Sequence, residues 1–137
     1  MENLKPGFET KVFLTALQNH LGPAKKMQWV STVDIGKFAA KVFANPEAWR
    51  NRAVGIAGDE LTMEELLETF GKSVGYPTST TYWPLGSLLT WAVKELREMI
   101  QWFASDGYHA NLAARRKDLP EMMTMGEWLR NGFSEFL

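Results

Sequence analysis

"RAVGIAGDELTMEELLETFGKSVGYP", residues 52–77, carries the strongest local signals in the chain. Alternating small and β-branched residues over 52–57 predict a short strand. A turn with Gly55 and Gly58 follows. Thr62 then caps a helix, and Glu65 three residues on completes a T-x-x-E capping box. Met63, Leu66, Leu67, Phe70 and Val74 recur at helical spacing. Gly75 supplies the left-handed C-terminal position, and Pro77 forbids continuation. Strand, glycine turn and helix also form the opening unit of many nucleotide-binding folds, so this stretch poses a functional question as well as a structural one.

The residues answer it in favour of structure. A dinucleotide fingerprint needs three glycines, G-x-G-x-x-G, at the strand-to-helix turn. This turn has two. Asp59, Glu60, Glu64 and Glu65 crowd the helix start. Four carboxylates complement the helix dipole but repel a pyrophosphate. There is no P-loop. His20 and His109 have no partner at metal-ligand or triad spacing, neither H-E-x-x-H nor G-x-S-x-G occurs, and no metal is expected.

On either side the pattern is mainly helical. Phe13, Leu14, Leu17 and Leu21 predict a helix ended by Gly22-Pro23. "KKMQWV", 25–30, predicts a strand. Ser31 and Asp34 open a helix with an Ile35, Phe38, Ala39, Val42, Phe43 stripe, ended by Asn45-Pro46. "TSTTYW", 78–83, predicts a third strand. After Pro84 one long helix is expected to about Ser105, with Trp91 and Trp102 aligned beside its apolar face. Shorter helices are expected over 109–118 and 124–136, and residues 1–8 read as loop. The expected centres of the core are Phe38, Val42, Leu66, Phe70, Leu89 and Leu96.

Composition bounds the function. The 137 residues hold 15 Lys and Arg against 16 Asp and Glu, a net charge of −1. That balance disfavours a nucleic-acid surface. Cysteine is absent, which excludes disulfide and thiolate chemistry. The charge-free run 73–93 is broken by Pro77, Pro84, Gly75 and Gly86 and makes a poor membrane span. The expected location is the cytoplasm, with the nucleus as the alternative. Six Trp and eight Phe imply a heavy core, an interface or a pocket for a flat ligand. Tyr82 and Trp83 are ligand-binding candidates, as are Asn3 and Trp29. Phe8, Phe13, Trp91 and Trp102 are interface candidates. No catalytic residue stands out.

Residues 28–75, with Asp34-Ile35-Gly36 at a helix start and Gly58-Asp59-Glu60-Leu61-Thr62 at a turn, resemble the C-terminal half of NmrA-like proteins. "TTYWPLGSLLTWAVKEL", 80–96, and "WFASDGY", 102–108, fit the same pattern, and "MENLKPG", 1–7, resembles the loop after a late Rossmann strand. Those proteins are atypical short-chain dehydrogenase relatives that bind NAD(P). The resemblance implies an α+β, mainly helical substrate or effector lobe with two or three short strands and no Rossmann half. It implies one unit over 1–137: a loop and helix over 1–24, short strands and two helices over 25–83, and C-terminal helices over 84–137. The family's phosphate loop lies outside this chain, and no Tyr precedes a Lys by four residues. No cofactor is therefore expected for the chain alone, and NAD(P) is implied only for a full-length relative. The implied function is a small-molecule- or protein-binding regulatory lobe. A homo-oligomer or partner protein would cover the surface left by the missing half, and a hydrophobic small molecule is a further ligand class; nucleic acid and membrane are not expected. The alternative is an enzyme, either a reductase fragment or a cofactor-independent isomerase or cyclase with an aromatic pocket.

Overall fold

A computed structural model describes residues 1–4, 7–75 and 79–133, without the side chains of Asn3, Val74, Gly132 and Phe133. A 3₁₀ turn, Glu2–Leu4, precedes α1 (Phe8–Leu21), β1 (Met27–Trp29), α2 (Thr32–Ala44) and the short α3 (Pro46–Trp49). Then come β2 (Asp59–Leu61), α4 (Met63–Val74), α5 (Trp83–Ala92), α6 (Lys94–Ser105), α7 (Leu112–Asp118) and α8 (Met125–Phe133). The fold is mainly helical with one two-stranded antiparallel sheet, registered Met27↔Leu61, Gln28↔Glu60 and Trp29↔Asp59.

The strand expected over 25–30 forms over 27–29, but the strand expected over 52–57 does not. Residues 52–57 run without strand structure, and the ladder uses 59–61, which the sequence suggested was turn. The reason lies in what lies against the segment. A Cβ on Gly55 would lie 3.1 Å from that of Ala110, so 52–57 packs against the 108–111 connection instead of pairing. Gln28 fixes that connection: its amide donates to Ala110 O at 2.9 Å and accepts from Ala110 N at 2.8 Å. The third predicted strand does not form either. Residues 79–82 have no strand partner and lead into α5, while Thr78 lies outside the described residues.

The long helix expected to Ser105 is two helices. Val93 leaves the helical region at φ −116°, ψ 97° and separates α5 from α6. Both pack on α1. On α5 the buried positions are Gly86 and Thr90; on α6 the buried centre is Ile100. β-branched Val93 tolerates the extended backbone that separates the two helices. Gly86 sets the α1–α5 distance: a Cβ there would lie 2.7 Å from Ala16 N and 2.8 Å from the Thr15 carbonyl carbon. Around this contact the Thr15 hydroxyl accepts from Thr81 N at 2.9 Å, and Asn19 donates to Trp83 O at 3.0 Å.

The main core joins Leu14, Leu17, Leu66, Phe70, Ile100 and Leu129. Phe38 centres a second, smaller cluster with Leu119 and Met122. Of the expected core centres, Phe38, Leu66 and Phe70 are buried, whereas Val42, Leu89 and Leu96 are only half-buried. The N-terminal stretch is not the free loop expected. Leu4 is fully buried, and Glu2 Oε1 accepts from both the backbone N–H and the hydroxyl of Thr32, helping Ser31 cap α2. Among the described residues no helix is long and apolar enough to cross a membrane.

Two substitutions test this packing. Gly86→Ala gains about 0.5–1 kcal/mol of helix propensity but loses about 1–3 kcal/mol to overpacking, so urea denaturation should show net destabilisation. A stabilised protein would mean that α1 and α5 do not approach this closely. Phe70→Ala should cost about 3–5 kcal/mol, and a loss under about 1 kcal/mol would contradict its burial.

Candidate functional site

The turn before α4 is occupied by the protein itself. Gly58 lets the backbone of the 122–125 segment come close: a Cβ there would lie 2.3 Å from Met123 O. Asp34 Oδ2 accepts from Met123 N at 2.9 Å, and Asp59 Oδ2 accepts from Met125 N at 2.9 Å. Arg116 donates to Gly58 O at 2.6 Å and reaches Met122 O at 3.4 Å. The two aspartates of the D-I-G and G-D-E motifs thus clasp the backbone that leads into α8.

The start of α4 is equally closed. Thr62 accepts from Glu65 N at 3.2 Å, and Glu65 accepts from Thr62 N at 2.8 Å, the expected capping box. A second box begins α8. There Glu127 accepts from Thr124 N at 2.8 Å, and Thr124 Oγ1 accepts from Glu127 N at 3.3 Å. The T-M-G-E spelling at 124–127 carried the signal for that cap in the sequence. The Thr62 backbone N–H, then its hydroxyl, holds the Glu65 carboxyl below the ordinary glutamate range; Thr124 does the same for Glu127. At both helix starts the box takes the N-cap and N3 N–H groups, two of the donors a phosphate would use.

The ligand and interface candidates separate in space. Trp29 is buried in the main core, and among the described residues its indole Nε1 has no hydrogen-bond partner. The Asn3 side chain lies outside the described residues. Tyr82 and Trp83 are exposed, with ring centroids 6.4 Å apart. Phe8 is exposed, whereas Phe13 is half-buried against the core. Trp91 is 75% exposed and Trp102 is 40% exposed. Trp102 packs edge-on against Tyr108 at 5.0 Å. Helix α8 docks on α4 and leaves the outer face of α5 uncovered.

That outer face is unusual. The sequence of α5, WPLGSLLTWA, has no charged residue. Its inner side packs on α1 through Gly86 and Thr90. Its outer side carries Leu88 and Trp91, which are 56% and 75% exposed, and Trp83 at the first residue is 64% exposed. At 100° per residue Leu88 and Trp91 point away from the buried side, whereas Trp83 lies at its edge, beside Thr90. A helix apolar on all sides is normally a buried helix.

Two clefts lie elsewhere. One, of about 420 Å³, sits between the end of α1 and the start of α4, over Met63 and Leu67, with Gln18 and Glu64 at its polar edge. The other, of about 260 Å³, lies along α2 and α3 over Phe38, Val42, Trp49, Val54 and Ile56, with Arg52 lining it. The sequence predicted an α2 stripe centred on Phe38 and Val42; in the structure its flanking Ile35 and Phe43 stay exposed and line this second cleft. The signal for it was Arg52, a cation set between Trp49 and the apolar run 53–57.

His20 Nδ1 lies 2.9 Å from Ala16 O, and His109 is exposed. Among the described residues no group of His, Asp and Glu could hold a metal ion.

The NmrA-like family model matches residues 5–129. The chain belongs to the NmrA-like family. No curated protein sequence matches it. Membership points to a function of the NAD(P)-related regulatory or dehydrogenase-like kind. In this family member both motif segments, at Asp34 and at Gly58-Asp59, serve the clasp on 122–125.

Removing the clasp gives a direct test. Asp34 is fully buried, and Asp34→Ala leaves the Met123 N–H without its acceptor. A hydrogen bond to a charged group contributes about 1.5–3 kcal/mol, so urea denaturation should show a loss of that size. An unchanged midpoint would mean that the 122–125 segment is held by something else.

Proposed function

We propose that this NmrA-like chain works as a regulatory lobe that binds a partner protein, most simply a second copy of itself, and is not catalytic on its own. The single observation that carries this reading is α5: charge-free, packed on α1 by one side, exposing Leu88 and Trp91 on the other, with Trp83 exposed at its first residue. An apolar patch of this kind on a small protein marks an interface. A face without charge is also compatible with its own image. In a twofold dimer each residue meets the partner's copy of the same patch, so like charges would oppose one another, and α5 has none.

The absence of NAD(P) from the chain's own function is part of the proposal. Its support is the closed turn at Gly58, filled by Met123, and the capping box that occupies the start of α4. The resemblance to NAD(P)-binding relatives then concerns the architecture around a cofactor, and no G-x-G-x-x-G turn occurs in this sequence.

Light scattering across a range of concentrations tests the partner reading. The expected result is a mass above 15.6 kDa that rises with concentration, and a return to monomer for the double variant Leu88→Glu, Trp91→Lys. A clean monomer at high concentration with no binding of a hydrophobic dye would contradict it. Calorimetry tests the cofactor part: no micromolar binding of NADPH is expected, and tight binding would overturn it.

A further inference from the structure

The groove along α2 and α3 is built from different residues than the α5 face, and it has a chemistry of its own. Phe38 forms its buried floor, with half-buried Val42, Trp49, Val54 and Ile56 around it. Trp49 stands edge-on to Phe38, with centroids 5.2 Å apart and planes at 72°. The indole is therefore held in place by packing and not free to close over the groove. The guanidinium of Arg52 lies over the indole face, 5.0 Å from the ring centroid. Its Nη1 donates to Ala48 O at 3.1 Å, which fixes the fork at the end of α3.

The charge on that fork is unanswered. Nearby Arg50 is paired with Glu47 at 2.6 Å, but among the described residues Arg52 has no carboxylate partner. A fixed guanidinium with free N–H groups beside an apolar floor selects for a ligand that is anionic at one end and apolar at the other. Guanidinium binds carboxylate through two parallel hydrogen bonds, a planar match. The aromatic walls favour a flat ring system, offset-stacked or edge-on. The volume of about 260 Å³ lies below the roughly 300–1,000 Å³ of sites for drug-sized ligands, which limits the occupant to a small molecule.

We propose that this groove is a binding site for a small, flat aromatic carboxylate, with Arg52 taking the carboxylate and Phe38, Trp49 and Ile56 taking the ring. The site adds a ligand to the regulatory reading but does not depend on the α5 face, because none of its lining residues belongs to α5.

The test is an NMR titration of the ¹⁵N-labelled full chain with 2-naphthoate and, separately, with the uncharged 2-naphthamide. The proposal expects saturable shifts at the Trp49 indole and the Val54 and Ile56 amides with the acid. The amide should bind at least tenfold more weakly. Arg52→Gln, a change at an exposed side chain, should weaken the acid at least tenfold while leaving the rest of the spectrum in place. Equal binding of acid and amide, no effect of Arg52→Gln, or no saturable shift at millimolar acid would each overturn the proposal. Groove signals that move with protein concentration and not with the acid would also overturn it, by showing that a second copy fills the groove. Failure of the oligomer reading leaves this readout untouched, since it is scored only at residues of the groove.

Discussion

Two aspartate carboxylates hold two backbone N–H groups, Asp34 to Met123 and Asp59 to Met125, and that clasp places the segment that leads into α8. The residues it aligns are Leu119 and Met122 in the small core and Met125 and Leu129 in the main one. Without it the segment before α8 would bury polar backbone with no partner, at a cost of about 1–3 kcal/mol for each group. Gly58 makes the clasp sterically possible, since any side chain there would collide with Met123 O. One constraint thus links the start of α2, the start of β2 and the entry to α8.

The clasp also decides what the most nucleotide-like stretch of the sequence is for. Strand, glycine turn and capped helix are present, with the strand shifted to 59–61, but the space over the turn holds Met123 rather than a ligand. Local sequence can say that a turn lacks a fingerprint. It cannot say what fills the turn, because the occupant comes from residues more than sixty positions away.

The same division runs through the rest of the chain. Features set within one helical turn were legible: the Thr62–Glu65 capping box, the left-handed Gly75 at φ 80°, the Ser31 cap of α2, and the buried face of α4 at Leu66 and Phe70. Features set by partners were not. The apolar alternation over 52–57 read as a strand, yet contact with Ala110 draws it off the sheet. The helix over 84–105 read as continuous because nothing in WAVKEL breaks it locally; the structure breaks it at Val93, and α5 and α6 each pack on α1. Ile35 and Phe43 belong to a well-formed apolar stripe, but the chain supplies only enough partner surface to bury Phe38. Of the aromatic candidates, Trp83 and Trp91 are exposed and Trp29 lies in the core, a difference that composition alone does not set, and a single cation such as Arg52 has no periodicity to mark it.

The central claim is that the Gly58–Thr62 turn is a structural joint and not a nucleotide site. Native-state hydrogen exchange of the Met123 and Met125 amides, with and without NADPH, tests it most directly. If the clasp is as described, both amides exchange slowly, at the level of the core helices, and NADPH changes nothing. Rapid exchange in the free protein that slows when NADPH is added would show an open turn that the nucleotide closes, and would contradict the account.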